Sequence, residues 1–184
     1  KQGPVQTYRT VMKKLDSYSP LGCSASGEVI EVGESVTEFV VGDKVACGGV
    51  GYANHAEVIS VPVNLCVNLN HDADLKMASY NTVGAIAMQG VRQADLRLGE
   101  SCVVIGLGLL GQLTCIILKA SGVRVIGVDV SEYAVKKAME NNVVDLAMKR
   151  NAPGIEEKIN INTDGIGADA VIIAAATSST DPVN

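Results

Sequence analysis

The sequence predicts an α/β protein: a parallel β-sheet with helices on both faces, preceded by a smaller β-rich unit. Three observations predict it. The runs Val103-Val104-Ile105 and Val123–Val128 are almost continuously aliphatic, as strands buried on both faces are. Between Gly22 and Pro62 the texture differs, with short β-like runs punctuated by glycine, the spacing of a small barrel or sandwich. The composition suits an aliphatic core, being 47% hydrophobic but only 3% aromatic, with no Trp and the single Phe39.

Bulk properties narrow the function classes. A chain of 184 residues holds one large domain or parts of two. Its net charge of -5 comes without basic clusters, which argues against a nucleic-acid partner. Mean hydropathy is positive, +0.24, and residues 103–118 are strongly apolar. Three glycines, Gln112 and Thr114 interrupt that run, however, and it is shorter than the ~20 residues of a membrane span. Lys1-Gln2-Gly3-Pro4 lacks the apolar segment of a secretory leader, so a cytoplasmic setting is expected. The chain opens on Lys1 rather than Met, and we expect it to be a piece of a longer polypeptide. Five cysteines without a C-x-x-C pair (Cys23, Cys47, Cys66, Cys102, Cys115) indicate neither a zinc knuckle nor a thioredoxin-type redox pair. Cys102 and Cys115 read as small buried hydrophobes.

The elements follow in order. A short helix is expected around Tyr8–Leu15, ended by Ser19-Pro20. Glu28–Val32 alternates like a half-buried strand, Gly33-Glu34-Ser35 turns, Phe39–Val41 is a second strand and Gly42-Asp43 a second turn. Lys44–Cys47 and Ala56–Val61 continue the strand pattern. Residues 72–97 read as helical, with Ala78, Ala85, Ala87, Met88 and Val91 on the apolar face, and His71 caps or flanks that helix. Leu98-Gly99-Glu100 leads into the first parallel strand. A helix Leu109–Ala120 ends at Ser121-Gly122, where glycine suits the left-handed position. Ser131 is an N-cap for a second helix that buries Ala134, Val135, Ala138 and Met139. Residues 143–147 form a third strand, Ala152–Ile161 a weaker helix and Ala170–Ala176 a fourth strand.

The chemistry sits at the first strand–helix junction. Val103-Val104-Ile105-Gly106-Leu107-Gly108-Leu109-Leu110-Gly111 is a strand, a glycine turn and a helix start, and Asp129 closes the next strand eighteen residues beyond Gly111. That order is what a dinucleotide site requires. Gly106 permits the tight turn, Gly108 lets backbone approach a pyrophosphate, and Gly111 lets the helix pack on the sheet. The first-turn N–H groups of Leu109, Leu110 and Gly111 then face the phosphates. Asp129 accepts from the adenosine ribose hydroxyls and repels a 2′-phosphate, so NAD is expected over NADP. A Rossmann-like methyltransferase also places glycines and an acid in these positions, but without the full three-glycine spacing.

Around this core the sequence resembles the medium-chain dehydrogenase/reductase family, the zinc-type alcohol dehydrogenase-like proteins. Pro20-Leu21-Gly22 with Gly27–Gly33 is similar to the start of the family's GroES-like barrel. Phe39-Val40-Val41-Gly42-Asp43-Lys44-Val45 resembles its F-x-x-G-D-x-V hallmark, and Gly51–Val58 the segment that follows. Gly165-Ile166-Gly167-Ala168-Asp169 is similar to its G-x-G-A-D before the fourth strand. The match spans about residues 20–176. Cys47–Val58 and Thr82–Asp95 further resemble the dehydrogenase half of bacterial bi-domain oxidoreductases, which implies a fused second oxidoreductase domain. The resemblance implies a partial GroES-like β domain over 1–76, linker helices over 77–98 and a truncated NAD-binding Rossmann domain over 99–184. It also allows for a homodimer. Family members extend further at both ends, so this stretch alone is expected to be inactive.

The resemblance also implies a catalytic zinc held by three protein ligands; one of them, an early Cys, would lie before Lys1, and the other two are missing at their positions here. The position of the family's G-H-E histidine reads Gly22-Cys23-Ser24, and between Asp72 and Cys102 there is no Cys or His, only the distant Asp95. One thiolate is not a site, so no metal residue is assigned and the module is expected to be zinc-independent. His55 could shuttle a proton, but a structural, hydrogen-bonded His is the simpler reading. Tyr52 and Tyr80 are weaker candidates, and the catalytic residues are unknown. The expected function is an NAD(H)-dependent oxidoreductase passing hydride between nicotinamide and a small-molecule alcohol or carbonyl. The alternative is a non-catalytic nucleotide-binding or scaffold module of a larger enzyme.

Overall fold

The computed structural model describes residues 3–15 and 20–177. Ser19 and the closing Pro182-Val183-Asn184 lie outside them. The described residues divide into two compact units, one reaching to Thr82 and the other starting at Val83.

The first unit contains α1 (Pro4–Leu15), β1 (Ser24–Glu28), β2 (Lys44–Gly48), a 3-10 turn at Val63–Leu65, β3 (Cys66–Asn68) and α2 (Leu75–Ala78). The strands form one antiparallel sheet in the order β1-β2-β3, with Val45 and Cys47 packed on the buried Ala53. Several sequence expectations shift here. The first strand runs over Ser24–Glu28, not Glu28–Val32, and neither Phe39–Val41 nor Ala56–Val61 joins a ladder. Phe39, Ile59 and Val61 line a hollow of about 730 Å³ together with Val29, Val45, Cys47 and Cys66, so they are apolar without joining a ladder, whereas Val29 exchanges backbone bonds with Gly42 and Asp43 at 2.8 Å. The helix expected over 72–97 is broken at Ser79-Tyr80 into α2 and α3 (Asn81–Ala94). Its cap is Asp74, whose carboxylate accepts from the Lys76 and Met77 N–H groups, while His71 flanks it and is exposed. Asn81 fastens the start of α3 to the sheet by donating to the carbonyls of Ala25 and Cys47, both at 3.1 Å. Ser24 adds a bond from its hydroxyl to the Ser79 carbonyl at 2.6 Å.

The second unit carries the rest of α3, β4 (Ser101–Ile105), α4 (Leu109–Ala120), β5 (Arg124–Asp129), α5 (Glu132–Glu140), β6 (Leu146–Lys149), α6 (Ile155–Asn162) and β7 (Ala170–Ile173). All strand pairs are parallel and the order is β6-β5-β4-β7, the doubly wound arrangement in which the chain leaves β4 first one way and then the other. Alternate residues of the central strands face opposite layers. Cys102, Val104 and Val125 meet Cys115 and Leu118 of α4 and Ala138 of α5, with Val91 of α3. Val103, Ile126 and Val128 meet Ile155 and Ile159 of α6. Burial pushes the thiols of Cys102 and Cys115 up, to about 11 and about 12, which keeps them as apolar packing groups. Among the described residues no helix is long and apolar enough to cross a membrane.

The α4 boundaries are those the sequence predicts, and Gly122 is left-handed at φ 76. Ser131 accepts from the Ala134 N–H at 3.3 Å as the expected N-cap. The third strand is displaced from 143–147 to Leu146–Lys149, because Val143 and Val144 are buried in the approach to it. Ala85, Met88 and Met139 face outward instead of into a core. The last helix starts later, at Ile155, and β7 stops at Ile173 rather than Ala176.

Two aspartates set the register at the amino ends of the strands. Asp169 Oδ2 accepts from the Ser101 N–H at 2.8 Å and its hydroxyl at 3.0 Å, and Asp145 Oδ2 accepts from the Val125 N–H at 2.7 Å. The Ser101 bonds, that of its N–H foremost, hold the Asp169 carboxyl below its ordinary 3.8. Because the folded value is lowered, this contribution is complete above the unfolded value and is lost as pH falls through the folded one. Thermal melts between about pH 5 and pH 2 should therefore show wild type losing Tm more steeply than Asp169→Asn. Parallel slopes would remove Asp169 from the acid limb.

Candidate functional site

The three glycines after β4 have three different physical reasons. Gly106 is left-handed at φ 97, and its N–H donates to the Val128 carbonyl at 2.8 Å. A Cβ there would stand 2.7 Å from the backbone nitrogen of Ala175, so conformation and space both demand glycine. Gly111 is helical and buried, and a Cβ on it would run into the carbonyl oxygen of Gly106. Gly108 meets neither condition. Its φ of -69 and ψ of -166 suit any residue, and nothing lies within 4 Å of a Cβ built on it.

Gly108 is thus the one glycine of the three that the fold itself does not need. It is the N-cap of α4 and supplies no side-chain cap. Its carbonyl accepts the first helical bond, from Gln112 N at 2.9 Å, which leaves the N–H groups of Leu109, Leu110 and Gly111 without intrahelical partners. The structure therefore presents a bare helix N-terminus beside open space, the cradle a Cβ would fill. That is the environment an anion such as a pyrophosphate fits.

Asp129 ends β5 beside this turn. Its Oδ2 accepts from the Leu107 N–H at 2.6 Å and its Oδ1 from the Ser131 N–H at 2.7 Å. A carboxylate has about four acceptor directions, so two remain for hydroxyl donors. The Leu107 bond is a role that spacing alone did not reveal. Leu107 itself is fully buried, packed so closely on Gly127 that a Cβ there would meet its methyl carbon at 2.8 Å. Gln112 completes the support: its amide donates to the Leu107 carbonyl at 3.0 Å and accepts from Asn141 at 3.2 Å. An apolar residue between two glycines was the available sequence signal for Leu107; nothing local signalled Gln112.

The other candidates lie in the first unit. Cys23 is half-buried, and its carbonyl accepts from the Thr82 hydroxyl and the Gly49 N–H, both at 3.0 Å. His55 is exposed, with its N–H on the Leu21 carbonyl at 2.7 Å and its ring against Gly22, where a Cβ would meet Nε2 at 2.9 Å. Its hydrogen bonding is thus through the backbone. Tyr52 and Tyr80 are exposed. Among the described residues no three His, Cys, Asp or Glu side chains come together to hold a metal, so these residues do not fit a three-ligand zinc site.

Residues 5–71 match the alcohol dehydrogenase GroES-like domain. A D-guloside 3-dehydrogenase from Escherichia coli (strain K12) is 31% identical over 154 residues, covering 83% of this chain and 43% of that protein. The chain belongs to the medium-chain dehydrogenase/reductase family. Among solved members of similar fold, 2R,3R-butanediol dehydrogenase from Bacillus subtilis is 26% identical at a TM-score of 0.70, over 80% of this chain and 49% of that one. A mycobacterial protein complexed with NADPH shares the fold at a TM-score of 0.74 and 21% identity, over 98% of this chain and 58% of that one. The chain spans about half the length of the curated relatives it matches.

In this dehydrogenase/reductase chain the glycines separate in a stability measurement. Gly111→Ala should lower unfolding stability by about 1–3 kcal/mol through overpacking. Gly106→Ala should cost more, because about 1–2 kcal/mol of left-handed strain is added. Gly108→Ser should stay within about 1 kcal/mol of wild type, serine being a favoured N-cap. Chemical denaturation followed in the second unit checks all three, and a Gly108→Ser as damaging as Gly111→Ala would contradict the assignment.

Proposed function

We propose that this chain is the NAD(H)-binding part of an alcohol dehydrogenase-like oxidoreductase that works without zinc. Gly108 carries the reading: neither its backbone conformation nor its packing needs glycine, and it stands where a pyrophosphate would approach the N–H groups of α4. In this reading Gly106 and Gly111 shape the turn, and Leu109, Leu110 and Gly111 donate to the phosphates. Asp129 takes the adenosine ribose hydroxyls on its two free acceptor directions. Its charge, fixed beside the turn by the Leu107 and Ser131 N–H groups, disfavours a 2′-phosphate and hence NADP. The bound nicotinamide supplies hydride chemistry, and the chain's part is to hold and orient it.

The substrate class proposed is an alcohol or carbonyl on a sugar or polyol, supported by relatives named D-guloside 3-dehydrogenase, D-xylulose reductase and sorbitol dehydrogenase. Zinc independence rests on the scattered donors: Cys23 offers one thiolate where three ligands are needed. A cytoplasmic enzyme, with a second oxidoreductase domain fused to it and self-association as a dimer, completes the proposal. The second reading, a module that binds nucleotide without catalysing, draws support from the lack of a gathered donor set among the described residues.

Calorimetry tests the cofactor reading. NADH should bind at least about tenfold more tightly than NADPH, a difference of about 1.4 kcal/mol, and Gly108→Ser should lower NADH affinity by a similar factor or more while leaving Tm unchanged. Asp129→Ala should bring the two affinities together and also cost about 1–3 kcal/mol of stability, since two N–H groups lose their acceptor. Equal NADH and NADPH affinity in wild type would overturn the Asp129 role. Unchanged turnover of the full-length enzyme carrying Gly108→Ser would favour the non-catalytic module.

A further inference from the structure

Cys47 and Cys66 stand directly opposite each other on the paired antiparallel strands β2 and β3, with their Sγ atoms 3.7 Å apart. Opposed residues in such a ladder have Cα atoms about 4.5–5.5 Å apart, inside the span of about 4.4–6.8 Å that a disulfide bridges. Both thiols line the hollow of the first unit. We propose that this pair is a thiol-oxidation site, closing reversibly into a Cys47–Cys66 disulfide on reaction with a small-molecule disulfide of the glutathione type.

The two sulfurs have different parts. Cys66 is half-buried on an edge strand and meets the oxidant first. Its thiolate attacks one sulfur of oxidised glutathione, the oxidant's S–S bond breaks, and one glutathione leaves as thiolate. Cys47 is only 4% exposed. Burial, and then the hydrogen bond with Cys66, push its thiol up to about 12, so it stays protonated and inert towards external reagents. Once Cys66 carries the mixed disulfide, Cys47 is already in contact with its sulfur. Cys47 passes its proton to the departing glutathione sulfur as its own sulfur attacks Cys66 Sγ, and the second glutathione leaves as thiol. Two protein thiols and one glutathione disulfide become one protein disulfide and two glutathione thiols, which take up the two thiol protons. The protein loses two electrons and the oxidant gains them.

The other cysteines lack this arrangement. Cys102 and Cys115 are fully buried in the core of the parallel sheet, and no contact joins Cys23 to another thiol among the described residues. In a reducing compartment such a bridge is transient and responds to oxidant rather than acting as a permanent staple. Closing it fixes the two ends of the segment that carries Tyr52, Asn54 and His55, and ties edge strand β3 covalently to β2.

Mass mapping of the intact protein tests this. Trypsin releases both cysteines on one peptide, Val45–Lys76, and cleavage after Glu57 separates them. After exposure of the folded protein to oxidised glutathione, this peptide should lose about 2 Da and remain joined after the Glu57 cut until dithiothreitol is added. Tm should rise on oxidation and return on reduction. In Cys66→Ser, Cys47 should stay unmodified; in Cys47→Ala, Cys66 should keep glutathione as a stable mixed disulfide. A wild-type protein that holds glutathione on Cys66 without linking to Cys47, or that leaves both thiols free while Cys23 is oxidised, overturns the proposal.

Discussion

The hydrogen bond from the Leu107 N–H to Asp129 Oδ2, at 2.6 Å, is the contact on which the second unit turns. It is charge-assisted, a kind roughly twice as strong as a neutral pair, and it joins the glycine turn after β4 to the end of β5. Without it, the left-handed Gly106 would hang from the Val128 carbonyl alone at this edge. With it, the turn is held at two points, α4 starts in one place, and its bare first-turn N–H groups face the open side of Gly108. The same carboxylate then holds the Ser131 N–H, so the start of α5 is set from the same atom group. Structure and proposed ligand recognition share one residue, and this is why Asp129 is half-buried rather than free in solvent.

The opposite ends of the strands use the same chemistry for a plainer purpose. Asp145 and Asp169 each precede an outer strand and accept from a backbone N–H of the strand beside it, Val125 and Ser101. Each also returns its own N–H to that neighbour's carbonyl, at 2.8 Å and 2.9 Å. A parallel strand can slip in register when only its aliphatic side chains specify it. A short acid fixed to one N–H removes that freedom. Three aspartates thus hold β5, β6 and β7 in place around β4, and one of the three also stands beside the turn proposed to hold the nucleotide.

The second unit was legible because its signals are local and agree with one another. Val103-Val104-Ile105 is apolar on both sides, Gly122 stops α4 where a left-handed residue is needed, and Ser131 caps α5. The first unit was less so. Phe39, Ile59 and Val61 are aromatic or β-branched as strand residues often are, yet they line a hollow without joining a ladder. An apolar run reports which side chains turn inward; it says nothing about whether a partner strand is alongside. Ala85, Met88 and Met139 misled for a related reason, since helical periodicity marks an apolar stripe without fixing how wide a stripe the neighbours cover.

The sequence by itself determined the order of elements, the glycine fingerprint with Asp129 at its distance, and the family resemblance, because each depends on residue identity at short range. It also showed that the position of the resembling family's G-H-E histidine reads Gly22-Cys23-Ser24. Tertiary structure decided what those residues do. Only there does Gly108 separate from Gly106 and Gly111, since the space around a missing Cβ is set by residues far along the chain. Only there does Asp129 meet Leu107, and Cys47 meet Cys66 across two strands. Contacts at such separations are fixed by how strands register against one another, and pairing is a property of the folded sheet that no window of sequence contains.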